Sequence, residues 1–230
     1  MLGVIVNVLA IVVGSLIGVF LNKGLPEKIT KDIMAALGLA TVVLGIQGAI
    51  KSENTLVLVI SLALGTMIGS FIDIDKYIYN LGDFLKKKFV KDGDSNAKFV
   101  EGFVAASALF AIGAMAILGS IEAGLNHNYS ILFVKSTLDF VMAIIYSSTM
   151  GIGVAFSAAV ILIVQGGIAI FASSLTFLIE NEGMMTELTA VGNVLIIAIG
   201  LNLIGIAKIK IANMLPAIIL APILYGLFCM

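Results

Sequence analysis

Residues 129–167, YSILFVKSTLDFVMAIIYSSTMGIGVAFSAAVILIVQGG, decide how this chain is read. The stretch is apolar enough to cross a bilayer, yet it sets Lys135 and Asp139 one helical turn apart. A charge at the bilayer centre costs at least about 2.5–3.5 kcal/mol on insertion scales, so an ionisable residue there points first to function. Pairing at i, i+4 lowers the cost, although Lys ahead of Asp is the weaker order. Asp139 lies about 15 Å below the start at Tyr129, close to the midplane of a ~30 Å hydrocarbon core. Lys135, at about 9 Å, is placed to snorkel outward.

Asp139, Tyr146 and Thr149 share one helix face, at spacings of 7 and 3. Hydroxyls and glycines follow (Ser147, Ser148, Thr149, Gly151, Gly153), then Gln165 beside Gly166 and Gly167. Non-helical backbone at membrane depth survives only where protein buries it or where it lines a cavity. The GxG break is therefore expected to free carbonyls that join the Ser and Thr oxygens and one carboxylate. Such oxygens suit a monovalent cation or a proton, and no other cofactor is expected. The plainer reading is a structural ion pair that ties this helix to its neighbours.

Working outward, the 230 residues are 60% hydrophobic and 12% charged, with a mean hydropathy of +1.17. That places the chain among integral membrane proteins and leaves no room for a soluble catalytic domain. The lone Cys229 excludes an intrachain disulfide and a Cys-based metal site, and the lone His127 argues against a His-ligated one. No Ser-His-Asp, HExxH or paired-Asp motif is present, so enzymatic activity is not expected.

The pattern predicts an all-α bundle of eight spans, or seven if the fifth and sixth merge, forming one integral membrane domain over 1–230. The spans are about 2–21, 33–50, 55–72, 99–121, 129–150, 152–179, 188–207 and 211–228. The sixth is long, so tilt or a kink at Gly166-Gly167 is expected. Acidic residues make 180–187 a loop. Small residues line up on single faces: Gly3, Asn7, Gly14 and Gly18 in the first span, Gly38, Thr41, Gly45 and Gly48 in the second. With Gly65 and Gly69, these GxxxG pairs are packing seams that also make a homodimer reasonable. Asn7 needs a partner within its seam. The amides Gln47, Gln165, Asn193 and Asn202 are candidate solute ligands, each weighed against an ordinary interhelical hydrogen bond. Glu122 with His127 reads as a solvated loop more readily than as a proton entry point.

Residues 73–98 alternate apolar Tyr77, Ile78, Leu81, Phe84, Leu85 and Phe89 with lysines, which predicts an amphipathic helix on the anionic inner leaflet. Lacking arginine and interspersed with acids, it is a poor nucleic-acid patch. With the N-terminus outside and eight crossings, 11 of the 13 lysines fall on the cytoplasmic side of the inner membrane.

IVVGSLIGVF (11–20) lines up with LIVQGGIAIF (162–171), and MAALGLATVVLGIQGAI (34–50) with LTAVGNVLIIAIGLNLI (188–204). Spans 1–3 and 6–8 would then be inverted repeats around spans 4–5, an arrangement that builds many secondary transporters.

The whole chain resembles a family of bacterial integral membrane proteins, domain-of-unknown-function family 554. The resemblance is carried by GVIVNVLAIVVGSLIG, MAALGLATVVLGIQGAI, AILGSIEAGL and YSILFVKSTLDFVMAIIYSSTMGIGVAFSA. It implies several inner-membrane helices and assigns no activity. The residues themselves favour a secondary transporter or ion-conducting protein, with a site near the midplane at spans 5 and 6. Its candidate residues are Asp139, Lys135, Tyr146, Ser147, Ser148, Thr149, Gly151, Gly153, Gln165 and Asn193. The alternative is a membrane sensor or scaffold in which Lys135–Asp139 is structural.

Overall fold

The computed structural model describes residues 1–22, 27–89, 96–111 and 114–229. The side chains of 81–83 and 85–89, on which part of the amphipathic reading of 73–98 rests, lie outside the described residues.

The described chain is helical throughout: α1 (Leu2–Asn22), α2 (Glu27–Ala49), α3 (Thr55–Ile72), α4 (Ile74–Phe89), α5 (Asn96–Ala111), α6 (Ala114–Leu125), α7 (Ser130–Met150), α8 (Gly153–Ile170), α9 (Thr176–Glu180), α10 (Glu182–Ile204) and α11 (Pro216–Phe228). Short 3-10 turns precede α9 and α11. Seven of these segments are long and apolar enough to cross a membrane. The α5–α6 pair, whose axes diverge by 60°, makes an eighth if counted as one broken span.

Local chemistry sets the boundaries. Asn54 caps α3 by accepting from the Leu56 and Val57 N–H groups, and the helix ends at Asp73 in the left-handed region (φ 57°). Asn181 caps α10 in the same way, accepting from Met184 N–H at 3.0 Å, and Glu182 lies in the first turn where the helix dipole favours an acid. The acidic segment 180–187 is thus mostly helix, not the expected loop. α8 runs through Gly166-Gly167 unbroken and stops at Ile170, short of the expected 179; the turn comes at Phe171. The expected surface helix is described as α4 as far as Phe89, and 96–98 belong to α5. Of its described apolar residues, Tyr77 and Phe84 are exposed and Ile78 is half-buried.

Hydroxyls along the spans turn back onto their own helices. Thr41, Ser120, Ser136, Ser148, Thr149 and Ser157 donate to carbonyls three or four residues earlier, which satisfies them without water. Large apolar side chains such as Phe20, Phe71, Ile163 and Leu227 point outward, a surface that only lipid or another apolar partner covers at low cost.

The chain gathers into two compact units. The first holds Met1–Ile33 and Tyr79–Leu175, the second Met34–Ile78 and Thr176–Met230. In the first, α1 and α7 lie parallel and close: Gly3 faces Leu132, Gly14 the Phe140 carbonyl, and Gly18 the Ile144 carbonyl. α8 follows α7 by a two-residue turn and runs antiparallel to both, while α5 and α6 run alongside α8, with Gly102 by Val154 and Gly124 by Ala169.

In the second unit, α2 runs antiparallel to α10, and Gly38 and Gly200 approach each other's carbonyls reciprocally. α3 runs antiparallel to the 211–228 segment, with Gly65 on Ala217 and Gly69 on the Asn213 backbone. Both GxxxG faces, Gly14–Gly18 and Gly65–Gly69, are therefore occupied within the chain.

These approaches predict opposite outcomes for two kinds of glycine. A Cβ at Gly18 would collide with the Ile144 backbone, whereas one at Gly167 meets no atom within 4 Å. Gly18→Ala is expected to separate α1 from α7 and lower the thermal unfolding midpoint by several degrees. Gly167→Ala should be neutral or stabilising by up to about 1 kcal/mol, the helix-propensity gain. Melting both variants in one detergent checks the pair.

Candidate functional site

The polar heart of the first unit follows from α1, α7 and α8 meeting along small faces. Because α1 approaches α7 closely on either side of Asn7, the Asn7 amide reaches the middle of α7. Its Nδ2 donates to Asp139 Oδ2 at 3.0 Å and to Gln165 Oε1 at 3.1 Å. Lys135 Nζ donates to the same Asp139 oxygen at 2.6 Å. All four residues are buried, Asn7 and Gln165 completely. Asp139 is the tenth residue of the 21-residue α7, so its carboxylate sits near mid-span.

Lys135 does not snorkel outward: it is 6% exposed and turned along the helix onto Asp139. An ammonium reaching outward would have left a midplane carboxylate without its counter-ion, which is the costlier arrangement. The cluster carries one positive and one negative charge, and its hydrogen bonding is incomplete. Asn7 Oδ1 and Gln165 Nε2 are buried without a hydrogen-bond partner.

A family profile described as "Protein of unknown function (DUF554)" matches residues 2–226. The chain belongs to the DUF554 family. It is 34% identical over 227 residues to "Uncharacterized membrane protein YdfK" of Bacillus subtilis (strain 168), covering 97% of this chain and 95% of that protein. It is 32% identical over 227 residues to "Uncharacterized protein YqgA" of Escherichia coli (strain K12), covering 96% and 94%. No solved structure matches. This DUF554 chain is a membrane protein, as its apolar helices and the B. subtilis relative's name agree.

The rest of the expected site is not assembled around Asp139. Thr149 lies ten residues further along α7, roughly 15 Å away at 1.5 Å per residue. The Ser148 and Thr149 hydroxyls donate to the Ile145 and Tyr146 carbonyls, at 2.7 and 2.9 Å, and Ser147 and Tyr146 are buried against the same end of the bundle. The glycines have structural reasons. Gly151 (φ 80°, ψ −160°) takes a conformation open essentially to glycine alone, which lets α7 turn into α8 within two residues. Gly153 allows the Phe99 carbonyl close to α8. The break thus lies at a span end rather than at mid-depth, and its carbonyls do not join the carboxylate.

Asn193 belongs to the second unit, where its Nδ2 donates to the Thr189 carbonyl at 2.8 Å and its side chain fills the space above Gly48. Asn202 is fully engaged with the Ile209 backbone, donating to its carbonyl at 2.9 Å and accepting from its N–H at 2.8 Å. It pins the 205–210 turn and is not a solute ligand. Gln47 is exposed. Glu122 accepts from Asn126 Nδ2 at 3.1 Å, not from His127, which is exposed in the left-handed region (φ 51°).

Two residues gained weight only in three dimensions. Asn7, readable as a polar residue in a seam, is the direct partner of Asp139. Glu187, hidden among loop acids, is wholly buried in α10 and has no basic partner among the described residues. Its Oε1 accepts from the Glu53 and Asn54 N–H groups at 2.8 and 2.9 Å, and its Oε2 from Ser52 Oγ at 2.8 Å. A carboxylate with three donors at the N-terminus of α3 is a structural anchor for the 50–54 loop.

Proposed function

We propose that this protein is a secondary transporter or ion-conducting protein of the bacterial inner membrane, acting on a small solute or monovalent cation through the Asn7–Lys135–Asp139–Gln165 cluster. The observation that carries the reading is a buried charge pair near mid-span whose neighbouring amides are only half-satisfied. A bundle with no use for that pair would gain by replacing it with apolar side chains of like volume.

The internal repeat adds support. Of the helices paired in the alignment, α1 is antiparallel to α8 in the first unit, and α2 to α10 and α3 to α11 in the second, which is the relation an inverted repeat requires. The parallel course of α1 and α7 calls for an odd number of crossings between them: α2, α3 and the α5–α6 pair. That supports eight spans; the lysine distribution in turn favours the N-terminus outside and the lysine-rich α4 on the anionic inner leaflet. No chemical conversion is assigned to the protein. The competing reading, a sensor or scaffold, draws on the 2.6 Å Lys135–Asp139 contact, which already neutralises both charges without a ligand.

Flux separates the two. Reconstituted wild-type protein should exchange a small polar solute or cation across proteoliposomes, and Asp139→Asn should abolish the exchange while inserting in equal amount. Equal flux in both proteins would remove Asp139 from the mechanism.

A further inference from the structure

Resting on that transport reading, we infer that the cluster recognises a small zwitterion, whose ammonium settles by Asp139 and Asn7 and whose carboxylate settles by Lys135 and Gln165. The hydrogen-bond inventory leads there. Asp139 Oδ2 already accepts twice, from Lys135 and from Asn7, while Oδ1 accepts from no described residue. Asn7 Nδ2 has spent both hydrogens, on Asp139 and Gln165, and Asn7 Oδ1 has no partner. Gln165 Oε1 is used and Gln165 Nε2 is not. Lys135 has used one of three hydrogens.

The unspent groups are thus two acceptors beside the carboxylate, and an amide donor plus an ammonium. The amide orientations are fixed by their partners. Rotating Asn7 would set its oxygen against the Asp139 carboxylate, and rotating Gln165 would set two donors face to face.

Asn202, by contrast, is engaged at both ends, and the buried Glu187 at both oxygens. The other buried polar side-chain atoms without partners among the described residues are hydroxyls, which can rotate toward a helix carbonyl as their neighbours do. Among the described residues, only Asn7 and Gln165 present buried amide atoms fixed in direction and unmatched.

Charge narrows the ligand further. A bare cation would face the Lys135 ammonium and find too few oxygens, and a bare anion would face Asp139. A zwitterion presents each charge to its opposite and leaves the cluster neutral, the condition a low-dielectric site favours. α8 is packed less tightly just after Gln165. Gly166 is buried, yet an added Cβ there would meet only the Met1 methyl at 3.7 Å, and one at Gly167 meets nothing. Glycines at the packed seams have no such space.

The test is the unfolding midpoint of the purified full-length protein with L-alanine, glycine, methylammonium, acetate, acetamide, sodium or potassium at matched ionic strength. Alanine and glycine should raise it saturably, and the single-charge analogues and acetamide should not. Gln165→Glu keeps the acceptor that Asn7 needs and replaces the free donor with an acceptor. It should weaken alanine binding by at least about tenfold, the loss of one charge-assisted hydrogen bond, and admit methylammonium.

Should Gln165→Glu fail to fold, Gly166→Leu serves, because it adds bulk to the loosely packed turn that follows Gln165 and should abolish the alanine response. An unchanged alanine response in either variant overturns the assignment. Stabilisation by sodium or potassium alone, or by acetamide as well as by alanine, overturns the zwitterion and leaves transport standing. A protein blind to every solute and inert in flux loses both.

Discussion

Lys135→Ala is expected to lower the unfolding free energy by about 3–5 kcal/mol, the cost of leaving a buried carboxylate without its counter-ion. Asp139 would keep the Asn7 hydrogen bond at 3.0 Å, which does not replace a full positive charge. Asp139→Asn should cost a similar amount, since it strands the buried ammonium. The double variant Lys135→Ala/Asp139→Asn removes both charges and should recover much of the loss, because a buried pair contributes little net stability. Denaturation of the four proteins in one detergent gives the coupling directly. Additive single losses would mean that the two charges do not depend on each other, contrary to their 2.6 Å contact.

The second large effect is expected in the other unit. Glu187→Ala removes the acceptor of three hydrogen bonds, from Ser52, Glu53 and Asn54. Because water reaches part of the 50–54 loop, the loss should be about 2–4 kcal/mol and not the sum of three charge-assisted bonds. Glu187→Gln keeps one oxygen and should lose about half as much. The local signature is protease cleavage at 50–54 appearing in Glu187→Ala before global unfolding. Cleavage at the wild-type rate would mean that the loop holds itself.

Much of the fold is legible in the sequence because membrane spans are written in unbroken apolar runs. Thr55–Ile72 matches its expected boundaries, and the small stripes of the first and second spans do mark close helix approaches. The misreading of 180–187 has a definite cause. Glu182 and Glu187 make 180–187 look like a solvated loop, but one acid lies in a capped first turn and the other is buried by three donors. Single-chain polarity cannot separate these cases from solvent exposure.

At the site, the i, i+4 spacing places Lys135 beside Asp139 without tertiary information. Asn7 and Gln165 are 158 positions apart, so their union on Asp139 depends on α1 lying against α7 and α8. The hydroxyls and glycines of SSTMGIG mislead for the opposite reason: sequence proximity suggests a shared site, while helix rise carries them roughly 15 Å off.

The most direct test asks whether Asp139 answers to a ligand or only to Lys135. The four proteins of the Lys135–Asp139 cycle are melted in sodium, potassium and choline buffers, each with and without L-alanine. The account predicts a saturable rise in the wild-type midpoint that Asp139→Asn loses entirely. Curves that shift with neither cation nor solute in any of the four would contradict it, and leave a structural ion pair.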